Sequence, residues 1–330
     1  MNAKPWKRSY RERIQSLNGC GGRVSERKAT WLATRVLAAA VLCVATALAH
    51  AADQDSAGRL RAKYAELRPQ LSNNQFKRPL YLDSSEATDT LTGDVYAVVD
   101  HPFATAAPAL SGAGDWCEIM FLPFNTKACR VSTGDQGSVL SVRIGRKHDQ
   151  PVEQAHQVSF SHRVAAQTAD YLQVRLSADQ GPLGTRNYRI MLEAVPVEKD
   201  RTFIHLSYSY GYGTMGKVAM QVYLGTTGRD KVGFTVAATQ ADGQPQHIGG
   251  MRGVIERNSM RYYLAIEAFL GALSAPPQAQ FEKRLRDWFA ATERYPRQLH
   301  EMEQGAYLEM KRREHQRQQA DMLPPRVAPG

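Results

Sequence analysis

Residues 249 to 277 read GGMRGVIERNSMRYYLAIEAFLGALSAPP, a segment opened by two glycines and closed by two prolines. Within it Met251, Ile255, Asn258, Tyr262, Ile266, Phe269 and Leu273 recur at intervals of three or four residues. That spacing puts them on one stripe of an α-helix of roughly 22 residues. The stripe is apolar except for Asn258, and a helix so patterned needs a surface to lie on.

The surface is encoded upstream. From Cys129 the apolar period changes to two and holds for about eighty residues. Leu140, Val142 and Ile144 alternate with Ser141 and Arg143; Val158, Phe160, His162 and Val164 alternate with Ser159, Ser161 and Arg163. The same pattern recurs in Leu172, Val174 and Leu176, then in Tyr188, Ile190 and Leu192, then in Ile204, Leu206, Tyr208 and Tyr210. Turns such as SADQGPLG (177–184) join these runs into an antiparallel meander with one polar face and one face that must be covered. Two further strands are expected at Leu80–Asp83 and Asp94–Asp100. Between them and the meander, FATAAPALS and GDWCEIMFL read as two short helical turns, closed by Pro123. RLRAKYAELRPQLSNNQ (59–75) reads as a short accessory helix, and helical patterns at Gln278–Glu293 and Arg297–Gln319 precede a tail, DMLPPRVAPG.

In that order of elements, GDVYAVVDHPFATAAPALSGAGDWCEIM (93–120) and GGMRGVIERNSMRYYLAIEAFLGAL (249–273) resemble the START-related (SRPBCC) superfamily. The resemblance implies an α+β helix-grip fold, with a curved antiparallel sheet of six to seven strands gripping the long helix. With the leader read below, the chain is expected to divide into a signal peptide (1–51), an N-terminal helix and linker (52–78), the helix-grip domain (79–275), a C-terminal helical extension (276–320) and a disordered tail (321–330), the leader being a departure from a minimal member of the superfamily. The resemblance also implies a cavity between sheet and helix for a lipid or other hydrophobic small molecule, without a cofactor. The superfamily has no invariant catalytic motif, so no catalytic residue carries over. TMGKVAMQVYLGTT (214–227) is an added helical element. Apolar walls with a few convergent polar groups are what small-molecule sites look like. The polar tips available on the inner faces are His162, Tyr188, Tyr208 and Tyr210 on the sheet and Asn258 and Tyr262 on the helix.

Other chemistries find less support. Gly211-x-Gly213-x-x-Gly216 matches a dinucleotide-binding turn locally, but it follows an antiparallel meander instead of opening a βαβ unit, so its glycines are expected to turn a strand into a helix. Asp100 and His101 are neighbours along a strand and point to opposite faces. No nucleophile elbow or zinc-binding helix motif is present. Two readings stand beside the carrier: a cyclase- or hydrolase-like enzyme pairing His162 with Tyr208, and an envelope interaction protein working through residues 276–320.

The N-terminus bears on all of these. Residues 1–51 hold nine basic and two acidic side chains, ending in the uncharged run Val36–Ala49 and the small-x-small pattern Ala49-His50-Ala51. This reads as a signal peptide cleaved near Ala51, for a periplasmic or secreted protein; the alternative is an uncleaved anchor, which would have to bury Arg35. Removing the leader's +7 from the formal net charge of +10 leaves +3, which does not support a nucleic-acid-binding stripe. Peripheral contact with a membrane or envelope protein remains compatible with it. Of four cysteines, Cys20 and Cys43 leave with the leader. Cys117 and Cys129 then meet an oxidising compartment, without CxxC spacing or enough ligands for zinc, and are expected to pair. N-terminal sequencing of the protein from fractionated cells is expected to begin at or near Ala52; a full-length chain held in the cytoplasm would contradict the leader.

Overall fold

The computed structural model describes residues 55–321 apart from 136, 199 and 227, so the expected leader and most of the tail lie outside the described residues. The period-two stretches are strands: β1 (Leu80–Glu86), β2 (Thr90–Val99), β3 (Thr126–Gly134), β4 (Gly137–Ile144), β5 (His156–Gln167), β6 (Leu172–Gln180), β7 (Thr185–Glu198) and β8 (Arg201–Tyr212). They form one antiparallel sheet in the order β1-β2-β8-β7-β6-β5-β4-β3. The chain crosses from β2 to the far edge through α2 (Phe103–Ala109) and α3 (Ala113–Phe121), then meanders back until β8 pairs with β2. The long helix is α5 (Gly250–Gly271); before it come α4 (Thr214–Gly225) and a hairpin of β9 (Val236–Thr239) and β10 (Pro245–His247). After it come α6 (Pro277–Thr292), α7 (Pro296–Leu299) and α8 (Gln304–Ala320). A sheet gripping a long helix after this order of elements is the helix-grip fold, α+β as expected.

The sheet has eight strands where six to seven were expected. The extra one, β3, hides its period because its first four residues are buried and the rest exposed. As an edge strand it is covered by α8, whose Gln318 Oε1 accepts the Cys129 N–H at 2.8 Å. Covering an edge in this way removes a template for unwanted pairing.

Two expectations about faces need correction. The long helix does not show a single buried stripe: fifteen of its 22 residues are buried, including Glu256, Arg257, Ser259 and Arg261. Ile255, Ile266 and Phe269 are buried as expected, Ile255 against Gly93 of β2, but Phe269 lies under Arg284 of α6, and Trp288 and Phe289 of α6 and Tyr307 of α8 join the same apolar cluster. Trp288 Nε1 donates to the Arg261 carbonyl at 3.1 Å. The C-terminal helices are therefore a third layer of the core. Nor is the outer face of the sheet simply polar. A helix over residues 55–72, α1, sets Ala57, Leu60, Leu67 and Leu71 against Val98, Val195 and Phe203, with Tyr64 and Phe203 at 5.0 Å between ring centroids. Val164, expected inward, is 37 % exposed; a bulge between Val164 and Ala166 shifts the phase, and Ala166 packs in the α1 cluster.

Close approach of α5 to β2 depends on Gly93. A Cβ there would lie 2.4 Å from Ser259 Oγ and 3.2 Å from Ile255 Cγ1. Ser259 Oγ in turn donates to the Gly93 carbonyl at 3.3 Å. The dinucleotide-like glycines do what the meander implied, carrying β8 into α4.

The cysteines are bonded, Cys117 of α3 to Cys129 of β3, with Cα atoms 5.4 Å apart. In the chain-entropy model such a loop stabilises by about 3 kcal/mol. Beside it, three fully buried charges dock α8: Glu314 receives Lys127 Nζ at 2.9 Å and Lys311 Nζ at 3.0 Å. Burial pushes the Lys311 ammonium down to about 8 despite that carboxylate. Glu314→Gln leaves two buried ammonium groups without a counter-charge, and urea denaturation is expected to show a loss of roughly 3 kcal/mol or more. An unchanged midpoint would mean that α8 does not depend on this cluster.

Candidate functional site

Curvature of the sheet opens a gap where β7 and β8 diverge from the N-terminal half of α5, and α4 closes its outer side. The resulting cavity, about 320 Å³, is lined by Tyr188, Tyr208 and Tyr210 from the sheet, Asn258 and Tyr262 from α5, and Met220 and Tyr223 from α4. A size and lining of this kind suit a small apolar ligand.

Alternation explains the sheet wall. Tyr208 and Tyr210 are two residues apart on β8, so they share a face. Tyr188 joins them from β7 through a bulge between Arg186 and Arg189, where Asn187 takes a positive φ of 53°. Tyr188 and Tyr210 stack at 5.3 Å between centroids, Tyr208 meets Tyr210 at 5.6 Å, and Tyr262 approaches Tyr208 edge-on at 5.3 Å. Tyr188 donates its hydroxyl to Thr185 Oγ1 at 2.8 Å. Among the described residues, neither the hydroxyls of Tyr208, Tyr210 and Tyr262 nor the Asn258 carboxamide has a hydrogen-bond partner. Burial raises all four phenol pKa values, above all that of Tyr208, so these groups stay protonated and able to donate.

His162 does not belong to this set. It lies on the inner face, but the cross-strand row runs His162, Leu176, Ile190, Tyr208, with two strands between the ends. At the usual strand spacing that is about 14 Å, too far for the acid–base pair considered above. Its ring is half-buried, its Nε2 has no partner among the described residues, and burial lowers its pKa. Asp100 and His101 sit in the bend after β2, where the His101 carbonyl accepts the Thr202 hydroxyl at 2.7 Å.

Sequence reasoning missed the cationic side of the cavity. Lys147, from the loop after β4, and Arg257 and Arg261 of α5 also line it. Arg261 and Lys147 share the Glu301 carboxylate, at 2.5 Å and 2.6 Å. Burial, reinforced by the neighbouring Arg261, pushes the Lys147 ammonium down to about 8. Burial alone would raise Glu301, but Arg261 and Lys147 outweigh it and hold that carboxyl below its usual range. The signal was present: Arg257 and Arg261 immediately precede Asn258 and Tyr262, four residues apart on one helix face.

The roof has an unusual outer side. While Gly216, Ala219, Met220 and Tyr223 of α4 face the cavity, Met215, Val218 and Val222 are 70 %, 54 % and 61 % exposed, with Leu183 beside them at 58 %. No helix among the described residues is long and apolar enough to cross a membrane, and no group of potential metal ligands occurs among them. A second depression, between β3, β4 and α8, mixes Arg130, Arg143 and Arg317 with Glu153 and Asp321 and is a solvated polar groove.

No protein-family model and no curated protein matches this chain. Among solved structures it is similar to human StAR-related lipid transfer protein 5, at 7 % identity over 66 % of this chain and 96 % of that one, with a TM-score of 0.33. Similar too are Ara h 8.0201, at 11 % identity over 56 % and 99 % of the two chains with a TM-score of 0.33, and norcoclaurine synthase from Thalictrum flavum, at 19 % over 44 % and 85 % with a TM-score of 0.28. These likenesses concern the fold alone.

Proposed function

We propose that the protein binds and carries a hydrophobic small molecule, a lipid or an aromatic compound, in the cavity between β7, β8, α4 and α5. One observation carries the reading: three protonated phenols and the Asn258 carboxamide, with no hydrogen-bond partners among the described residues, converge on one cavity whose wall also holds Ile144, Leu183, Met220 and Val254. Left so in a dry interior, each such group would cost about 1–3 kcal/mol, and a ligand's polar atoms or water must supply what the chain does not. The leader pattern and the Cys117–Cys129 bond support work outside the cytoplasm. The exposed stripe of α4 lies directly over the ligand space, and there we place contact with a membrane surface during loading and release. The acid–base pair considered from sequence, His162 with Tyr208, is separated by two strands, and no reaction is proposed.

Native mass spectrometry of protein purified from its own compartment is expected to show a co-purifying apolar ligand, released by organic extraction. Asn258→Leu should lower ligand retention while leaving the melting temperature of the extracted protein nearly unchanged, because no protein partner is lost. An empty wild-type cavity that takes up no hydrophobic probe would overturn the reading.

A further inference from the structure

Three cations meet one anion at one wall of this cavity. Lys147, Arg257 and Arg261 line it, and the facing carboxylate is Glu301, from the segment after α7. Lys231, which also acts on Glu301, is bonded to the His300 carbonyl and does not line the space. The local charge is therefore an excess of two positive charges, at side chains that are mostly withdrawn from water: Arg257 is 1 % exposed and Arg261 6 %.

A guanidinium carries five N–H donors. Arg257 commits Nη1 to the Val232 carbonyl at 3.1 Å and forms no ion pair with a carboxylate among the described residues. Arg261 commits Nη2 to Glu301 and, at 3.5 Å, to the Leu299 carbonyl, while its Nε is buried with no partner among the described residues. Buried charge persists only when compensated, and guanidinium forks suit the paired oxygens of a carboxylate or phosphate.

Resting on the carrier reading above, we infer that the ligand is an amphipathic acid: an apolar or aromatic body against Tyr188, Tyr208, Tyr210 and Tyr262, and an anionic head of carboxylate, phosphate or sulfonate type between Arg257, Arg261 and Lys147. Fatty acids, aromatic acids and acidic lipid headgroups share this chemistry, and a free inorganic anion has only its head. Neutral lipids and amines leave the surplus charge uncompensated and are disfavoured.

Two dyes with the same skeleton separate the parts. N-phenyl-1-naphthylamine supplies the aromatic body alone, and 1-anilinonaphthalene-8-sulfonate adds an anion to it. In fluorescence titrations of the mature, extracted protein, the sulfonate is expected to bind about tenfold more tightly or better, as for charge-assisted contacts in a dry site. Arg257→Gln, which keeps a donor for the Val232 carbonyl, should bring the sulfonate to the level of the neutral dye and leave the neutral dye unaffected. Lys147→Gln, at a side chain 32 % exposed, is the second variant should the first not fold, and it should narrow the gap in the same direction. Inorganic phosphate at millimolar concentration should not displace the sulfonate; displacement would overturn the amphipathic assignment in favour of a free-anion site. Equal affinity for the two dyes, or no change in either variant, would overturn the anionic head while leaving the carrier reading intact. Failure of both dyes to bind would overturn both.

Discussion

A 22-residue helix covered on every side has to settle its polar groups within the protein. On one flank α5 lies against β1, β2 and β8, so close that position 93 must be glycine; on the other, Trp288, Phe289 and Tyr307 shut out solvent. Its polar side chains are accordingly tied down. Glu256 accepts the Ser84 and Thr235 hydroxyls at 2.6 Å and 2.7 Å and the backbone N–H of Phe234 at 2.5 Å, which fastens the segment before the β9–β10 hairpin to the helix. Glu267 accepts the Tyr263 hydroxyl at 2.6 Å and pairs with Arg78. Ser259 bonds to β2. Each of these contacts fixes the helix's rotation and depth, because an unpaired group at the same place would be costly.

The site is where that accounting stops. Asn258, the Tyr262 hydroxyl, the Arg261 Nε and much of the Arg257 guanidinium are α5 groups without partners among the described residues, and all four residues border one cavity. Across it, Tyr208 and Tyr210 present unbonded hydroxyls, and their raised pKa values, like that of Tyr262, keep them neutral donors. The unpaired groups of α5 and of the facing strands thus gather where a ligand can meet them, while His162 Nε2, Arg284 Nε and Glu293 Oε1 are unpaired elsewhere among the described residues. The roof over such a site is lightly packed: α4 keeps only Gly216 buried along its length.

Much of this architecture was legible because period and spacing survive in sequence. The meander, the two short helices, the long helix and the cysteine pair all follow from residue patterns that burial imposes directly. Eight strands appeared where fewer were expected because β3 is covered by α3 and α8 on its buried half, which erases alternation. The wrapping of α5 was hidden for a related reason: Glu256, Arg257 and Arg261 look like a solvated face until α6 and α8 are folded over them. The same holds for the outer face, where His205 reads as an outward polar residue but bridges Asp94 at 2.9 Å and Glu193 at 3.1 Å and stacks on Tyr96. Five of the six expected cavity residues, Tyr188, Tyr208, Tyr210, Asn258 and Tyr262, do come together, since strand and helix periods place them on facing surfaces. His162 shares the face but not the end of the sheet, and position along a row of strands is information that periodicity does not carry.

Side-chain amide spectroscopy addresses the central claim most directly. With Asn258 assigned through its Asn258→Leu variant, a titration of the extracted protein with N-phenyl-1-naphthylamine should shift the Asn258 carboxamide resonances and the ring signals of Tyr208, Tyr210 and Tyr262. His162, two strands away from Tyr208, should be unaffected. Shifts confined to the groove between β3, β4 and α8, or a bound dye that leaves Asn258 unperturbed, would contradict the assignment of the ligand to the space beneath α5.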